Sequence, residues 1–326
     1  MSDLTKTQRG LSSRLMVLTA LVLSTSLTPL AVHGASPSST TEAGAKAVSW
    51  LISKQERDGG FSSGFAPGSD LSATADAVLA LAAAGKSITQ TRSSAGRTPL
   101  DFLTAQMTRR KLSTGQVAKL ALAAKAAGQN PARFGFRNLP RMILAGYNAE
   151  TGVIGEHVFS HGLALIALAN AGVKAPTKAI TTLESLQDTS GGWAFMGSGT
   201  PDVDTTALAI QALIASGRSP KDKVIERGLG YLKSIQNDDG GFPYQNPSQY
   251  GTETNANSTA LVVQALIAAG IEPEAWAAAK GNPLSALIAL QQPSGSIAYQ
   301  ASMPGDNTLA TVGAIPALYR VSLIAK

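Results

Sequence analysis

The sequence predicts an all-α fold, an α/α toroid of six helical hairpins forming an inner and an outer helix ring. Three observations predict it. A loop signature of the form Gln-x3-Gly-x-apolar recurs along the chain, and an Ala- and Leu-rich segment stopped by Gly follows each loop. The composition, 44% hydrophobic but only 5% aromatic with 32 glycines in 326 residues, suits closely packed helices better than stacked sheets.

The chain opens with Lys6, Arg9 and Arg14 ahead of an apolar stretch from Leu15 to Leu23, then Pro29 and the small residues Gly34 and Ala35. This order of charge, apolar core and small residues is that of a secretory signal peptide, expected over 1–35, with a Ser/Thr/Pro linker over 36–43 and the toroid domain over 44–326. An uncleaved membrane anchor is the alternative, but Ser24, Thr25, Ser26, Thr28 and Pro29 interrupt the ~20 apolar residues a span requires. The expected location is therefore secreted or extracytoplasmic. Without Cys the chain has no lipid-attachment thiol, disulfide or thiolate metal ligand. The formal charge of +6 is scattered, with Arg109-Arg110-Lys111 the one basic run, so no nucleic-acid partner is expected.

The loops align without gaps as Gln55 to Phe61, Gln187 to Trp193 and Gln236 to Phe242, with Gln291 to Ile297 a degenerate fourth. Before each Gln lies a segment that alternates charge with an apolar stripe, such as Lys46–Glu56 or Lys223–Gln236, which reads as a half-exposed outer helix. After each loop comes a segment that is apolar on nearly all sides and ends at Gly85, Gly128, Gly172, Gly217 or Gly270. These read as buried inner helices with left-handed glycine caps. The last hairpin runs from Pro283 through Asp306 onward. Closure into a ring buries every inner helix without polar capping repeats, whereas an open superhelix needs them.

The pattern Lys/Arg-Gly/Ala-x2-aromatic-Leu-x3-Gln-x3-Gly-x-aromatic is met by Lys46-Ala47 through Phe61 and by Arg227-Gly228 through Phe242, and in part by Lys178-Ala179 through Trp193. It resembles the QW repeat of squalene-hopene cyclases and of the wider terpenoid-cyclase and prenyltransferase superfamily. The resemblance covers the whole chain after the leader and implies the toroid, not an activity. Within the repeat, Gln is expected to bond backbone groups at helix ends while the aromatic pins the loop.

Pro201-Asp202-Val203-Asp204-Thr205-Thr206-Ala207 is similar to the DxDD signature of class II terpene cyclases, with Thr205 where the fourth-position Asp belongs. The resemblance implies Asp204 as a protonated general acid that starts carbocation cyclisation, with Asp202 and Thr205 adjusting its proton affinity. The repeat supplies a second reading of the same residues. Asp202 falls in register with Asp70, His157 and Asn255, and Asp204 with Ser72 and Asn257, where any inner helix needs an N-cap. A full class II cyclase resembles two such helical domains, and this chain has repeats for one.

The inner helices start together at one mouth, where backbone N–H groups and partial positive charge gather. Asp70, His157, Asn255, Asn257 and Asp306 are expected there, with Phe195, Tyr244, Tyr250 and Tyr299 on the loops, as a ligand site. No cofactor and no metal is expected, although His157 and His161 stand four apart. The first functional reading is a secreted toroid that binds a small hydrophobic or cofactor-like ligand, isoprenoid-like or cobalamin-like, or a partner, at this mouth. Association with a membrane or the cell surface stays open. A class II terpene-cyclase-like enzyme and an interaction scaffold are the alternatives.

Overall fold

The computed structural model describes residues 37–107, 111–249 and 251–325, all within one compact unit spanning His33–Lys326. The leader expected over 1–35 and Tyr250 lie outside the described residues.

Twelve α-helices are present among the described residues, and they alternate between two rings. The inner ring consists of α2 (Leu71–Ala83), α4 (Thr114–Ala126), α6 (Val158–Asn170), α8 (Val203–Ala215), α10 (Ala256–Ala268) and α12 (Thr308–Leu318). The outer ring consists of α1 (Pro37–Ser53), α3 (Pro99–Gln106), α5 (Leu139–Ala145), α7 (Thr177–Ser185), α9 (Lys223–Ile235) and α11 (Pro283–Ala289). Each inner helix packs on the next, and α12 packs on α2, so the ring is closed. None of these helices is long and apolar enough to cross a membrane.

The segment expected as a linker, 36–43, is corrected. Residues Pro37–Ala43 form the opening turns of α1. Thr40, Ala43 and Ala47, spaced as one helical face, are 1%, 3% and 0% exposed, and Ala43 packs with Ile297, Ala314 and Leu318. The Ser/Thr/Pro composition hid a buried stripe that extends α1 along α12 at the seam of the ring.

Small residues let the inner helices lie close together. Ala73, Ala77 and Ala80 of α2, Ala207 and Ala212 of α8, and Ala260 and Ala265 of α10 are wholly buried. All six inner helices begin with a side-chain cap: Asp70, Ser113, His157, Asp202, Asn255 and Asn307 each accept a hydrogen bond from a backbone N–H in the first turn. Four residues beyond the cap, Thr74, Thr206, Thr259 and Thr311 accept the N–H of the loop residue Phe61, Trp193, Phe242 or Ile297 at 2.9–3.0 Å. His161 takes that place in α6, with Nδ1 accepting from Ile154 N–H at 2.9 Å.

The repeated glutamines link hairpin to hairpin. The Nε2 of Gln187 donates to the carbonyl of Gly191 in its own loop (2.8 Å) and to that of Val224 in α9 (2.7 Å). Gln236 does the same with Gly240 and Trp276, and Gln291 with Gly295 and Ala43. The bonds reach the next outer helix or its approach rather than the helix's own open end, and the Gln291–Ala43 bond (2.8 Å) ties the last hairpin to the first. Gln291→Ala removes the seam bond to Ala43 together with the loop bond to Gly295 and leaves two carbonyls half-buried. A loss of about 1–3 kcal/mol in unfolding free energy is expected by urea denaturation, and an unchanged midpoint would show that the seam is held by packing alone.

Candidate functional site

The inner helices present the same positions to the bore, so the lumen can be described in layers counted from each N-cap. Two residues on from the cap lie Ser72, Gly115, Phe159, Asp204, Asn257 and Leu309. Six on lie Asp76, Lys119, Leu163, Leu208, Leu261 and Gly313, and nine on lie Leu79, Leu122, Ile166, Gln211, Gln264 and Pro316. A cavity of about 470 Å3 occupies the bore, and every residue of the six-on layer lines it. From the layer above it takes Ser72, Phe159, Asn257 and Leu309.

The cavity wall is divided by chemistry. Leu163, Leu208, Leu261, Leu309 and Val312 make an apolar side. On the facing side, Lys119 Nζ of α4 lies 2.6 Å from Asp76 Oδ2 of α2, each side chain a quarter exposed. Gln264 of α10, 4% exposed, also lines the cavity, and its Oε1 has no hydrogen-bond partner. A buried amide oxygen without a donor calls for one from a ligand or water. The wall thus offers a cation and an anion opposite a hydrocarbon surface.

Of the residues expected at the mouth, Asp70 and Asn257 line this cavity. Asp70 also caps α2, its Oδ1 accepting from Ala73 N–H at 2.8 Å. His157 caps α6 through Nδ1 and stacks on Phe195 with ring centroids 4.1 Å apart, and burial lowers its pKa. Asn255 caps α10. Tyr299 accepts Ala256 N–H and Tyr244 accepts Val203 N–H, both through backbone carbonyls, so these tyrosines dock loops onto helix starts. His157, Asn255, Phe195, Tyr244 and Tyr299 are not among the residues lining the cavity.

Asp306 is corrected. The cap of α12 is its neighbour Asn307, whose side chain accepts from Ala310 N–H at 2.9 Å. Asp306 instead accepts from Ser294 Oγ, Ser296 Oγ and Trp50 Nε1 at 2.6–3.0 Å, with Lys54 Nζ at 3.6 Å. These donors hold its carboxyl down at about 2, so it stays ionised and ties α1 to the last loop.

Asp202, Asp204 and Thr205 stand at the start of α8. Asp202 is the N-cap, buried, with Oδ1 accepting from Thr205 N–H at 2.7 Å; burial pushes its carboxyl up to about 6. Asp204 follows two residues on, and burial pushes it up to about 7 against the Ser258 hydroxyl, which donates to Oδ1 at 2.5 Å. The charge of Asp202 adds to the rise. Asp204 shares the luminal register but is engaged by α10 and is not among the lining residues.

His161 is wholly buried, with Nε2 2.9 Å from Ala179 O and Nδ1 accepting from Ile154, so both ring nitrogens serve the backbone. Among the described residues no three metal-ligating side chains gather in one place.

A closed double ring of six hairpins around a central bore defines an α/α toroid. Residues 139–304, about half of the chain, match the family model of the squalene-hopene cyclase C-terminal domain, and the chain belongs to that family. Residues 5–120 match the prenyltransferase alpha-alpha toroid domain. No curated protein matches the sequence. Among solved structures, the fold is similar to a variant of the type II terpene cyclase MstE from Scytonema in complex with geranylgeranyl dihydroxybenzoate. That match has a TM-score of 0.65 and 14% identity, and covers 87% of this chain and 97% of the cyclase. A protein from Actinoplanes is similar at a TM-score of 0.63 and 16% identity, over 86% and 99% of the two chains. A glycosidase variant in complex with glucose is similar at a TM-score of 0.56 and 14% identity, over 89% and 98%. Identities this low establish a shared fold.

Proposed function

We propose that the chain is an exported binding protein whose lumen takes a small amphiphile, with an isoprenoid-like chain on the leucine wall and a hydroxyl-bearing head at the ion pair. The observation that carries this reading is the Asp76–Lys119 pair set across from Leu163, Leu208 and Leu261 in one cavity. An ion pair held partly out of water is of little use to stability, whereas a head group with both donor and acceptor replaces the lost water well. A volume of about 470 Å3 is that of a small-ligand pocket, which favours a chain amphiphile over cobalamin. The MstE complex holds an amphiphile of this kind, a geranylgeranyl chain on a dihydroxybenzoate.

Farnesol titrated into the protein and followed by native mass spectrometry tests the reading. Leu261→Trp fills the bore and is expected to abolish binding, and Lys119→Met to weaken it about tenfold with the chain contacts intact. Wild-type affinity in Leu261→Trp places any binding outside the lumen and ends this reading.

Proton-initiated cyclisation is the second reading, favoured by Asp204, whose carboxyl at about 7 keeps a proton near neutral pH. The lining offers few aromatic faces to a carbocation, Phe65 and Phe159. Its check is product analysis after incubation with squalene or a prenyl alcohol, where a cyclised product lost in Asp204→Asn establishes it.

A further inference from the structure

A second cavity, of about 420 Å3, lies at the other end of the bore. It is built from the nine-on layer, including Leu79, Leu122 and Pro316, and from residues thirteen beyond the caps, Ala83, Ala126, Asn170 and Arg320. Leu79, Gln264, Pro316 and Leu323 line both cavities. The first three belong to the helical wall. Leu323 belongs to a strap, Val321–Ala325, that follows α12 and turns back into the ring.

The strap is attached to side chains of two inner helices, α6 and α8. Leu323 N–H donates to Gln211 Oε1 at 3.1 Å, Asn170 Nδ2 donates to Leu323 O at 2.8 Å, and Ala325 N–H donates to Asn170 Oδ1 at 3.0 Å. Gln211 is wholly buried, and its Nε2 has no partner. The residue that aims the strap is unusual in this ring. Five inner helices place glycine just past the cap, with φ of 70–94° at Gly85, Gly128, Gly172, Gly217 and Gly270. In α12 the position is Arg320 at φ 56°, a left-handed conformation that a bulky side chain adopts only under constraint. The constraint is visible: its guanidinium is clasped by Glu272 (2.9 Å) and Glu274 beside the loop that leads into α11. A strained backbone thus sits where one ion cluster holds a strap across the bore.

We infer that the strap is a displaceable floor, and that the chamber beneath it is the second half of the binding site, taking the apolar tail of a ligand too long for the upper chamber. The inference rests on the luminal reading above. The upper chamber spans the layers two to nine residues past the caps, about 10 Å at the helical rise, and the open bore reaches the thirteenth, about 16 Å. Leu79, Ala82, Leu122, Ala126 and Pro316 supply a hydrocarbon wall for the added length. Asn170, which lines the lower cavity, is released from the strap as a free amide.

Binding of geraniol, farnesol and geranylgeraniol to the full chain, measured by native mass spectrometry, tests the floor. Arg320→Gly keeps the helix end, as glycine does in the other five hairpins, but removes the clasp. Leu323→Ala shortens the floor while leaving its backbone bonds in place. Both variants are expected to raise the affinity for geranylgeraniol relative to geraniol by about tenfold or more, and in Arg320→Gly, whose side chain lines only the lower cavity, geraniol itself changes less than about twofold. Hydrogen exchange over 321–325 is expected to quicken in Arg320→Gly. If geraniol binds the wild type and neither variant alters the ratio, the floor does not control chain length and the inference fails alone. If none of the three alcohols binds the wild type, the luminal reading fails and takes the inference with it.

Discussion

Trp193→Ala is expected to lower the unfolding free energy by about 3–5 kcal/mol, a large share of the about 5–15 kcal/mol that holds an ordinary domain folded. The indole is wholly buried, and its Nε1 donates to Leu183 O of α7 at 2.7 Å. The ring also fills the space left by Gly228 in α9, where a Cβ would come within 2.9 Å of it. Truncation therefore opens a cavity between α7, α8 and α9 and strands a carbonyl inside it. Phe61→Leu or Phe242→Leu, at the equivalent positions, is expected to cost less, since Ile297 fills the same place in the last hairpin without an aromatic ring. Phe65→Ala, on a side chain 86% exposed, serves as the control and is expected to change stability by less than about 0.5 kcal/mol. Chemical denaturation of the set, read by far-UV circular dichroism, checks the order. Equal losses at Trp193 and Phe65 would contradict the packing described here.

The ring was legible because its two markers are local. Glutamine, glycine and an apolar residue fix each loop, and a glycine stops each inner helix, so five helices could be counted back from Gly85, Gly128, Gly172, Gly217 and Gly270 to their caps. The same procedure fails in the last hairpin. No glycine follows α12, which is two residues shorter than the other inner helices, so there is no mark to count back from, and the sequence reading falls on Asp306 in place of its neighbour Asn307. The ion pair of the lumen left a fainter mark. Asp76 and Lys119 each stand nine residues before their glycine, where the next three hairpins carry Leu163, Leu208 and Leu261. A single charge on an apolar helix reads as an exposed edge; two opposite charges at one register, in adjacent hairpins, read as a luminal pair once the ring is closed. The strap had no periodic signature at all, and arginine in a glycine position was its one trace.

Asp204→Asn is expected to stabilise the protein at pH 8 by on the order of 2–4 kcal/mol and to leave it unchanged at pH 4. Burial raises the Asp204 carboxyl from an ordinary 3.8 to about 7, so the folded state holds a proton that the unfolded chain releases. The stability this group permits is fully present below about pH 4 and is lost as pH rises through about 7. Above that, folding must bury an ionised carboxylate. Asp202, raised to about 6, acts in the same direction. Asp306, held at about 2, acts oppositely, but only as pH falls below 3.8. His157 and His161, whose pKa values burial lowers, erode stability as pH falls below 6.5 and so blur the wild-type curve. The difference between wild type and Asp204→Asn removes these common contributions, because the asparagine Oδ1 still accepts from Ser258 and no other contact changes. A difference that grows between pH 4 and 7 and then levels off is the expected shape; a flat one means the carboxyl is already solvated. The same variant bears on chemistry. If Asp204→Asn is more stable at pH 8 and binds farnesol as the wild type does, Asp204 serves the α8–α10 contact. If stability rises while turnover of a prenyl substrate disappears, the strain of keeping a buried acid is retained for proton donation.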